Sequence, residues 1–204
     1  VCSDLIVGQP PFAVDALVGA VYRKLISIPA AEMDRMARLI VAGLDMALWD
    51  LAGKAAGVPV HALLGGAVHS HIQYFGFVEG ESPEAMAEDA RRFVEQGIEV
   101  IYLKLGRGHE TDIACAAAVR SAIGDKRLRL DANEAWDVMT AIRMIKRLEK
   151  YDPEFIEQPV SSHNLDAMRQ VKAAVDVPLA ADQAIHSPED VFAYCRAQAA
   201  DVIV

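Results

Sequence analysis

The first 70 residues place apolar side chains with the period of an α-helix. Between residues 30 and 56 they recur every three or four positions and form one broad face, which we expect to be buried. The members of this face are Met33, Met36, Ala37, Ile40, Leu44, Ala47, Leu48 and Leu51. Gly57 and Pro59 are typical of a helix end. Residues 12–26 predict a second helix packed on the first, so we expect residues 1–68 to be all-helical.

From residue 72 onward the pattern changes to short apolar runs that alternate with amphipathic stretches. This alternation predicts βα units and a parallel sheet. The predicted strands, which follow one another at regular intervals, are residues 72–78, 100–105, 128–131, 155–157, 178–181 and 201–204. A doubly wound sheet and a (β/α) barrel would both produce this repeat, so the fold class predicted from the pattern alone is α/β.

Composition narrows the possible function classes. The chain has 204 residues and a formal net charge of -9, which argues against binding to nucleic acid or to an anionic membrane. Its three cysteines are far apart in the sequence, as expected for a cytoplasmic protein without a disulfide framework or a zinc site. No apolar run approaches the ~20 residues that a membrane span needs. We therefore expect a small-molecule ligand or a protein partner.

Four ionisable residues stand at the ends of consecutive predicted strands. Lys104 ends the second strand, Asp131 the third and Glu157 the fourth, and Asp182 directly follows the fifth. Their spacings of 27, 26 and 25 residues match the strand repeat, so in a barrel all four would lie at the carboxyl-terminal rim. One acidic residue after a strand is often only a helix cap. Three that converge need a cation, and oxygen ligands favour Mg²⁺.

The residues around these positions resemble a known family. LDANEAW at residues 130–136, FIEQP at 155–159 and LAADQ at 179–183 resemble the three successive metal-ligand motifs of the enolase superfamily, in its mandelate racemase and muconate lactonizing enzyme branch. IYLKLG at 101–106 resembles the motif that carries the catalytic lysine, and GLDMALWD at 43–50 the helix that leads into the barrel. The resemblance extends from about residue 39 to the end of the chain.

The resemblance implies a TIM-type (β/α) barrel preceded by an α+β capping domain. Residues 1–68 would be the helical remainder of that capping domain, and residues 69–204 would be the first six strands of the barrel. The chain begins with Val, so we expect a piece of a longer protein whose barrel is completed beyond residue 204. The resemblance also favours a homo-oligomer.

For the chemistry, the resemblance implies a small carboxylate-bearing substrate. Asp131, Glu157 and Asp182 would bind Mg²⁺, and Lys104 would abstract the proton α to the carboxylate through a metal-stabilised enediolate. The outcome would be racemisation or epimerisation, or cycloisomerisation, with dehydration of a sugar acid or hydroxy acid as the alternative. A second acid or base separates these outcomes, and we expect it beyond residue 204. A metal-free pseudoenzyme or oligomerisation scaffold is the alternative of another class.

Two positions depart from the family pattern. Tyr102 stands where the family commonly has the first lysine of Lys-X-Lys, and Gln183 stands where many relatives have Glu. Asn133 follows the predicted ligand Asp131 by two residues and is a candidate to orient it. We expect these three side chains to contact the substrate or to orient the metal ligands.

Overall fold

The computed structural model describes residues 2–28 and 33–204, which form two compact units with a boundary between Ile72 and Gln73. The first unit is helical in its described part. Its helices are α1 (Ser3–Ile6), α2 (Val14–Ile26), α3 (Met33–Ala56) and α4 (Val60–Leu63). The predicted start of the long helix at residues 30–32 lies outside the described residues.

Helices α2 and α3 pack along one another through small and branched apolar side chains. Leu17 and Leu48 belong to one buried cluster, and Val21 and Val41 belong to another. The prediction of one broad buried face on α3 is wrong for four of its members, which are exposed: Met36, Ile40, Ala47 and Leu51. The reason is that α2 covers only one strip along α3 within the described part of this unit.

The second unit alternates strands and helices from residue 73 to the last residue. Its strands are β1 (Gly76–Val78), β2 (Val100–Lys104), β3 (Arg127–Asp131), β4 (Pro153–Glu157), β5 (Leu179–Ala181) and β6 (Val202–Ile203). The helices between them are α5 (Pro83–Glu95), α6 (His109–Ile123), α7 (Val138–Leu148), α8 (Leu165–Lys172) and α9 (Pro188–Ala197), and a 3₁₀ turn at Glu149–Tyr151 follows α7.

The strands form one parallel sheet in the order β1-β2-β3-β4-β5-β6. Each strand pairs with the next in sequence, with one helix between them, which is the order found in a (β/α) barrel. The predicted α/β fold with a parallel sheet is therefore confirmed. The first strand is shorter than predicted and begins at Gly76 instead of residue 72, because only Gly76–Val78 aligns with β2.

Residues on the central strands alternate between two environments. Ile101, Leu103 and Leu128 are fully buried in the main apolar core, which also contains Met86 and Ile145 from the helices. Because side chains alternate along a strand, the intervening residues of β2 point to the other face of the sheet. Tyr102 and Lys104 are therefore on the face opposite the helices, where the candidate site lies.

None of the helices in residues 2–28 and 33–204 is long and apolar enough to span a membrane.

Candidate active site

Strand register brings three of the predicted site residues to neighbouring positions. Lys104 lies opposite Asp131 in the β2–β3 pair, and Asp131 lies opposite Glu157 in the β3–β4 pair. Glu157 aligns with Ala180 of β5, so Asp182 is two residues further along the same face. The regular spacing of these residues in the sequence therefore corresponds to a row of side chains at the carboxyl-terminal rim.

Asp131 is fully buried, and nitrogen donors surround its carboxylate. Oδ1 accepts hydrogen bonds from the backbone N–H of Asn133 at 2.8 Å and from its Nδ2 at 2.9 Å. Oδ2 lies 2.5 Å from Nζ of Lys104 and 2.9 Å from Nδ2 of Asn133. Nζ of Lys104 also donates to Oδ1 of Asn133 at 2.5 Å. Asn133, the candidate to orient Asp131, is therefore in direct contact with its carboxylate.

The hydroxyl of Tyr102 connects the two most buried carboxylates of the site. It lies 2.9 Å from Oδ2 of Asp131 and 2.7 Å from Oε2 of Glu157. Burial makes the largest contribution to a raised pKa of Tyr102. The hydrogen bond with Glu157 and the negative charge of Asp131 raise this pKa further, so the phenol keeps its proton. It can therefore donate a hydrogen bond to one of the two carboxylates at a time.

Glu157 is only 3% exposed, and such burial disfavours the charged form of its carboxyl group. Burial raises its pKa to about 7, and the charges of Asp131 and Asp182 act in the same direction. The hydrogen bond from Tyr102 and the ammonium of Lys104 act in the opposite direction. The rim therefore concentrates three carboxylates around one ammonium group.

The loop after β4 ties the position of Asp182 to that of Glu157. Gln158 is fully buried, and its Oε1 accepts a hydrogen bond from the backbone N–H of Asp182 at 3.1 Å. Its Nε2 donates to the carbonyl of Val160 at 2.9 Å. Gln158 also has a φ of 34°, in the left-handed region that is unusual for a residue with a side chain. Nothing in the strand pattern singled out this residue, although it directly follows a predicted ligand.

The donor chemistry of the rim fits a hard divalent cation. Asp131, Glu157 and Asp182 supply carboxylate oxygens, and one ammonium group does not balance their charge. Within the described residues, no three His, Cys, Asp or Glu side chains are arranged closely enough to hold a metal ion. Both oxygens of Asp131 already contact nitrogen donors, so a cation that binds here must take the place of one of them.

Aromatic rings line the open cavity next to these groups. The cavity has a volume of about 260 Å³, and the residues that line it are Phe75, Phe77, Tyr102, Lys104, Arg129, Phe155, Glu157, Asp182 and Val204. Phe75 and Phe77 were missed at the sequence level, because apolar residues in a strand do not reveal which face they occupy. Gln183, the other departure from the family pattern, has a buried Oε1 without a hydrogen-bond partner in the described part of the chain.

Two family models match the chain. Residues 2–65 match the mandelate racemase / muconate lactonizing enzyme N-terminal domain, and residues 85–204 match the enolase C-terminal domain-like family. The first match lies within the first compact unit of the fold, and the second match lies within the second unit.

Characterised relatives belong to several reaction classes. The hydrophobic dipeptide epimerase of Enterococcus faecalis is 33% identical over 202 residues, which cover 98% of this chain and 54% of that protein. The L-talarate/galactarate dehydratase of Salmonella typhimurium is 33% identical over 191 residues, which cover 91% of this chain and 47% of that protein. The chain therefore spans about half the length of the relatives that it matches.

A solved structure with a bound metal shares the fold. The dipeptide epimerase of Cytophaga hutchinsonii, in complex with Mg and the dipeptide D-Ala-L-Val, superposes with a TM-score of 0.81 at 30% identity. The match covers 99% of this chain and 53% of the epimerase.

Proposed function

The chain belongs to the mandelate racemase and muconate lactonizing enzyme branch of the enolase superfamily, and from this premise we propose that the whole protein abstracts the proton α to a substrate carboxylate. The observation that carries the proposal is the row formed by Lys104, Asp131 and Glu157, in which a lysine amine stands beside buried carboxylates at the rim of a parallel sheet. We also propose that residues 1–68 belong to a capping domain and residues 69–204 to the first six strands of the barrel.

Asp131, Glu157 and Asp182 would hold Mg²⁺ in this proposal. When bound, Mg²⁺ supplies positive charge that stabilises the negative charge developing on the substrate carboxylate as its α-proton leaves. The surplus of carboxylates over ammonium groups supports this assignment, and so does the Mg complex of the Cytophaga hutchinsonii epimerase.

Lys104 would act as the base through its amine form. Its Nζ is held between Asp131 and Asn133 and lies 5.9 Å from the centres of the Phe77 and Tyr102 rings. These contacts restrict the long side chain to the rim side of the cavity. A base must be within hydrogen-bond reach of the proton that it removes, so a substrate carboxylate placed near the three acidic residues would present its α-carbon to Lys104.

We propose epimerisation, racemisation or cycloisomerisation of a small carboxylate as the overall reaction. The epimerase relatives support this outcome, and the 33% identity to the L-talarate/galactarate dehydratase supports dehydration as the second candidate. All of these reactions begin with the same proton abstraction, and a further acid or base determines how the reaction ends. Assembly into a homo-oligomer and a cytoplasmic location stay predictions from the sequence.

The test is exchange of substrate α-protons for deuterium, followed by NMR with the full-length protein in D₂O. Dipeptides, N-acylated amino acids and sugar acids would each be incubated with Mg²⁺ or with EDTA. We expect exchange that requires Mg²⁺, and the product separates the candidates, because epimerisation keeps the carbon skeleton and its oxygens whereas dehydration yields a keto acid and water. A full-length protein that binds no Mg²⁺ in calorimetry would contradict the proposal and favour the scaffold alternative.

A further inference from the structure

The hydroxyl of Tyr102 faces two acidic side chains at once. It lies within 2.9 Å of both Asp131 Oδ2 and Glu157 Oε2, and both carboxylates are almost fully buried. No strand neighbour places another hydroxyl between them, because the aligned residues in β3 and β4 are Arg129 and Phe155. The hydroxyl is therefore the direct link between two of the three proposed metal ligands.

The ring that carries this hydroxyl packs against two other aromatic rings. Tyr102 stacks on Phe75 with ring centres 5.0 Å apart and on Phe77 with ring centres 5.4 Å apart. Tyr102 itself is only 8% exposed. A tyrosine has only two side-chain torsions before its rigid ring, so this packing also restricts where the hydroxyl can lie. The link between the carboxylates is consequently built into the fold.

A hydroxyl differs from the lysine that the family commonly has at this position. An ammonium at this position would add a positive charge to the rim, whereas the hydroxyl of Tyr102 contacts the carboxylate oxygens of Asp131 and Glu157 through a hydrogen-bonding group of another kind. Groups that orient metal ligands by hydrogen bonds contribute strongly to metal affinity.

We propose that Tyr102 is a positioning residue, whose hydroxyl holds the carboxylates of Asp131 and Glu157 in the arrangement that binds the divalent cation. This inference rests on the proposed function only in that it takes the rim to be a Mg²⁺ site. It assigns a role to the residue by which this chain departs from the common lysine pattern.

The test compares Mg²⁺ binding by full-length wild type, Tyr102→Phe and Tyr151→Phe in isothermal titration calorimetry. Tyr102→Phe keeps the stacked ring and removes only the hydroxyl, and we expect it to weaken Mg²⁺ binding ~10–100-fold. Tyr151 lies two residues before β4, at the opposite end of that strand from Glu157, so Tyr151→Phe is the matched control and is expected to keep the wild-type affinity. The electron paramagnetic resonance spectrum of bound Mn²⁺ is expected to change in Tyr102→Phe only.

Circular dichroism and thermal denaturation without metal establish that each variant is folded. A second variant, Phe77→Leu, keeps the hydroxyl but removes one of the rings that hold it, and we expect a smaller loss of Mg²⁺ affinity. Wild-type affinity in folded Tyr102→Phe would overturn the inference and leave the proposed function intact. If Tyr102→Phe does not fold, unchanged affinity in Phe77→Leu overturns it instead. A wild type that binds no Mg²⁺ overturns both.

Discussion

Nζ of Lys104 lies 2.5 Å from Oδ2 of Asp131, although the two residues are 27 positions apart in the chain. The contact exists because the two residues are aligned at the ends of adjacent parallel strands. It places the proposed base on a carboxylate oxygen of Asp131, which is itself a proposed metal ligand. The ammonium of Lys104 and a bound cation must therefore compete for Asp131.

This competition predicts that Lys104→Met binds Mg²⁺ more tightly than the wild type. Methionine keeps much of the side-chain length and removes a positive charge that repels the metal. Two unit charges 4 Å apart interact by about 1 kcal/mol in water and by more in a partly buried site, so we expect about a 10-fold gain in affinity. Calorimetry of the full-length variant measures it, with Lys126→Met as control. Weaker binding by Lys104→Met would contradict the competition.

Asn133 provides a second prediction, because it has both a left-handed backbone and a side chain that holds Asp131. Its φ is 45°, and its Nδ2 lies 2.9 Å from each carboxylate oxygen of Asp131. Asn133→Gly and Asn133→Ala both remove the side-chain hydrogen bonds, but only Ala adds backbone strain, which costs about 1 kcal/mol.

We therefore expect both Asn133 variants to lose Mg²⁺ affinity ~10–100-fold. We also expect Asn133→Ala to have a lower free energy of unfolding than Asn133→Gly. Urea denaturation and calorimetry measure the two effects separately. Equal Mg²⁺ affinity in wild type and Asn133→Gly would show that the side chain does not orient Asp131.

Gln158 is expected to be a stability determinant of the rim. Gln158→Met has a similar volume but leaves the N–H of Asp182 and the carbonyl of Val160 without their present partner. An unsatisfied buried polar group costs about 1–3 kcal/mol, and we expect a loss of at least that size in the free energy of unfolding. Gln170→Met on the exposed side of α8 is the control, expected to change stability by less than about 0.5 kcal/mol. Equal stability of the two variants would refute the role of Gln158.

Asp201 lies outside the candidate active site, and we expect its carboxylate to make a pH-dependent contribution to stability. Burial raises its pKa, but the hydrogen bond from Lys172 and the backbone N–H of Leu179 lower it, and the net pKa is below the usual 3.8. A lowered folded-state pKa stabilises the protein above pH 3.8, and this stabilisation is lost as the pH falls through the folded-state pKa. The carboxylate is 37% exposed, so solvent limits the contribution of the ion pair to about 1 kcal/mol at most.

The measurement is the difference in unfolding free energy between wild type and Asp201→Asn at several pH values. We expect wild type to be more stable at pH 7 and the difference to shrink as the pH falls below 3.8. Asp176 is exposed in the segment before β5, so Asp176→Asn controls for the general effect of removing one negative charge. A difference that grows toward low pH would have the wrong sign for this account.

Much of the fold could be predicted because the apolar pattern of the strands is strong. Ile101, Leu103 and Leu128 make buried runs whose ends are ionisable residues, and the parallel register follows from their regular repeat. The row of Lys104, Asp131 and Glu157 could therefore be anticipated from spacing alone. The burial of α3 could not, because the sequence of one helix does not reveal how many neighbours cover it.

The contacts within the site depend on side-chain directions that the pattern does not specify. The sequence identified Tyr102 only as a departure from a lysine, whereas its hydroxyl contacts two carboxylates. Gln158 was not identified at all, since its role comes from a left-handed backbone that turns its amide toward Asp182. Both are properties of three-dimensional packing and not of hydrophobic period.

The most direct test of the central claim is the rate of α-proton exchange by Lys104→Ala at saturating Mg²⁺. The full-length variant would be compared with wild type and with Lys126→Ala, a control in which the lost lysine pairs with Glu99 at the other end of the sheet. Loss of a general base lowers a rate by about 10²–10⁴-fold, so we expect at least a 100-fold slower exchange in Lys104→Ala and no change in the control. Exchange within a few-fold of wild type in Lys104→Ala, with Mg²⁺ still bound, would contradict the assignment of Lys104 as the base.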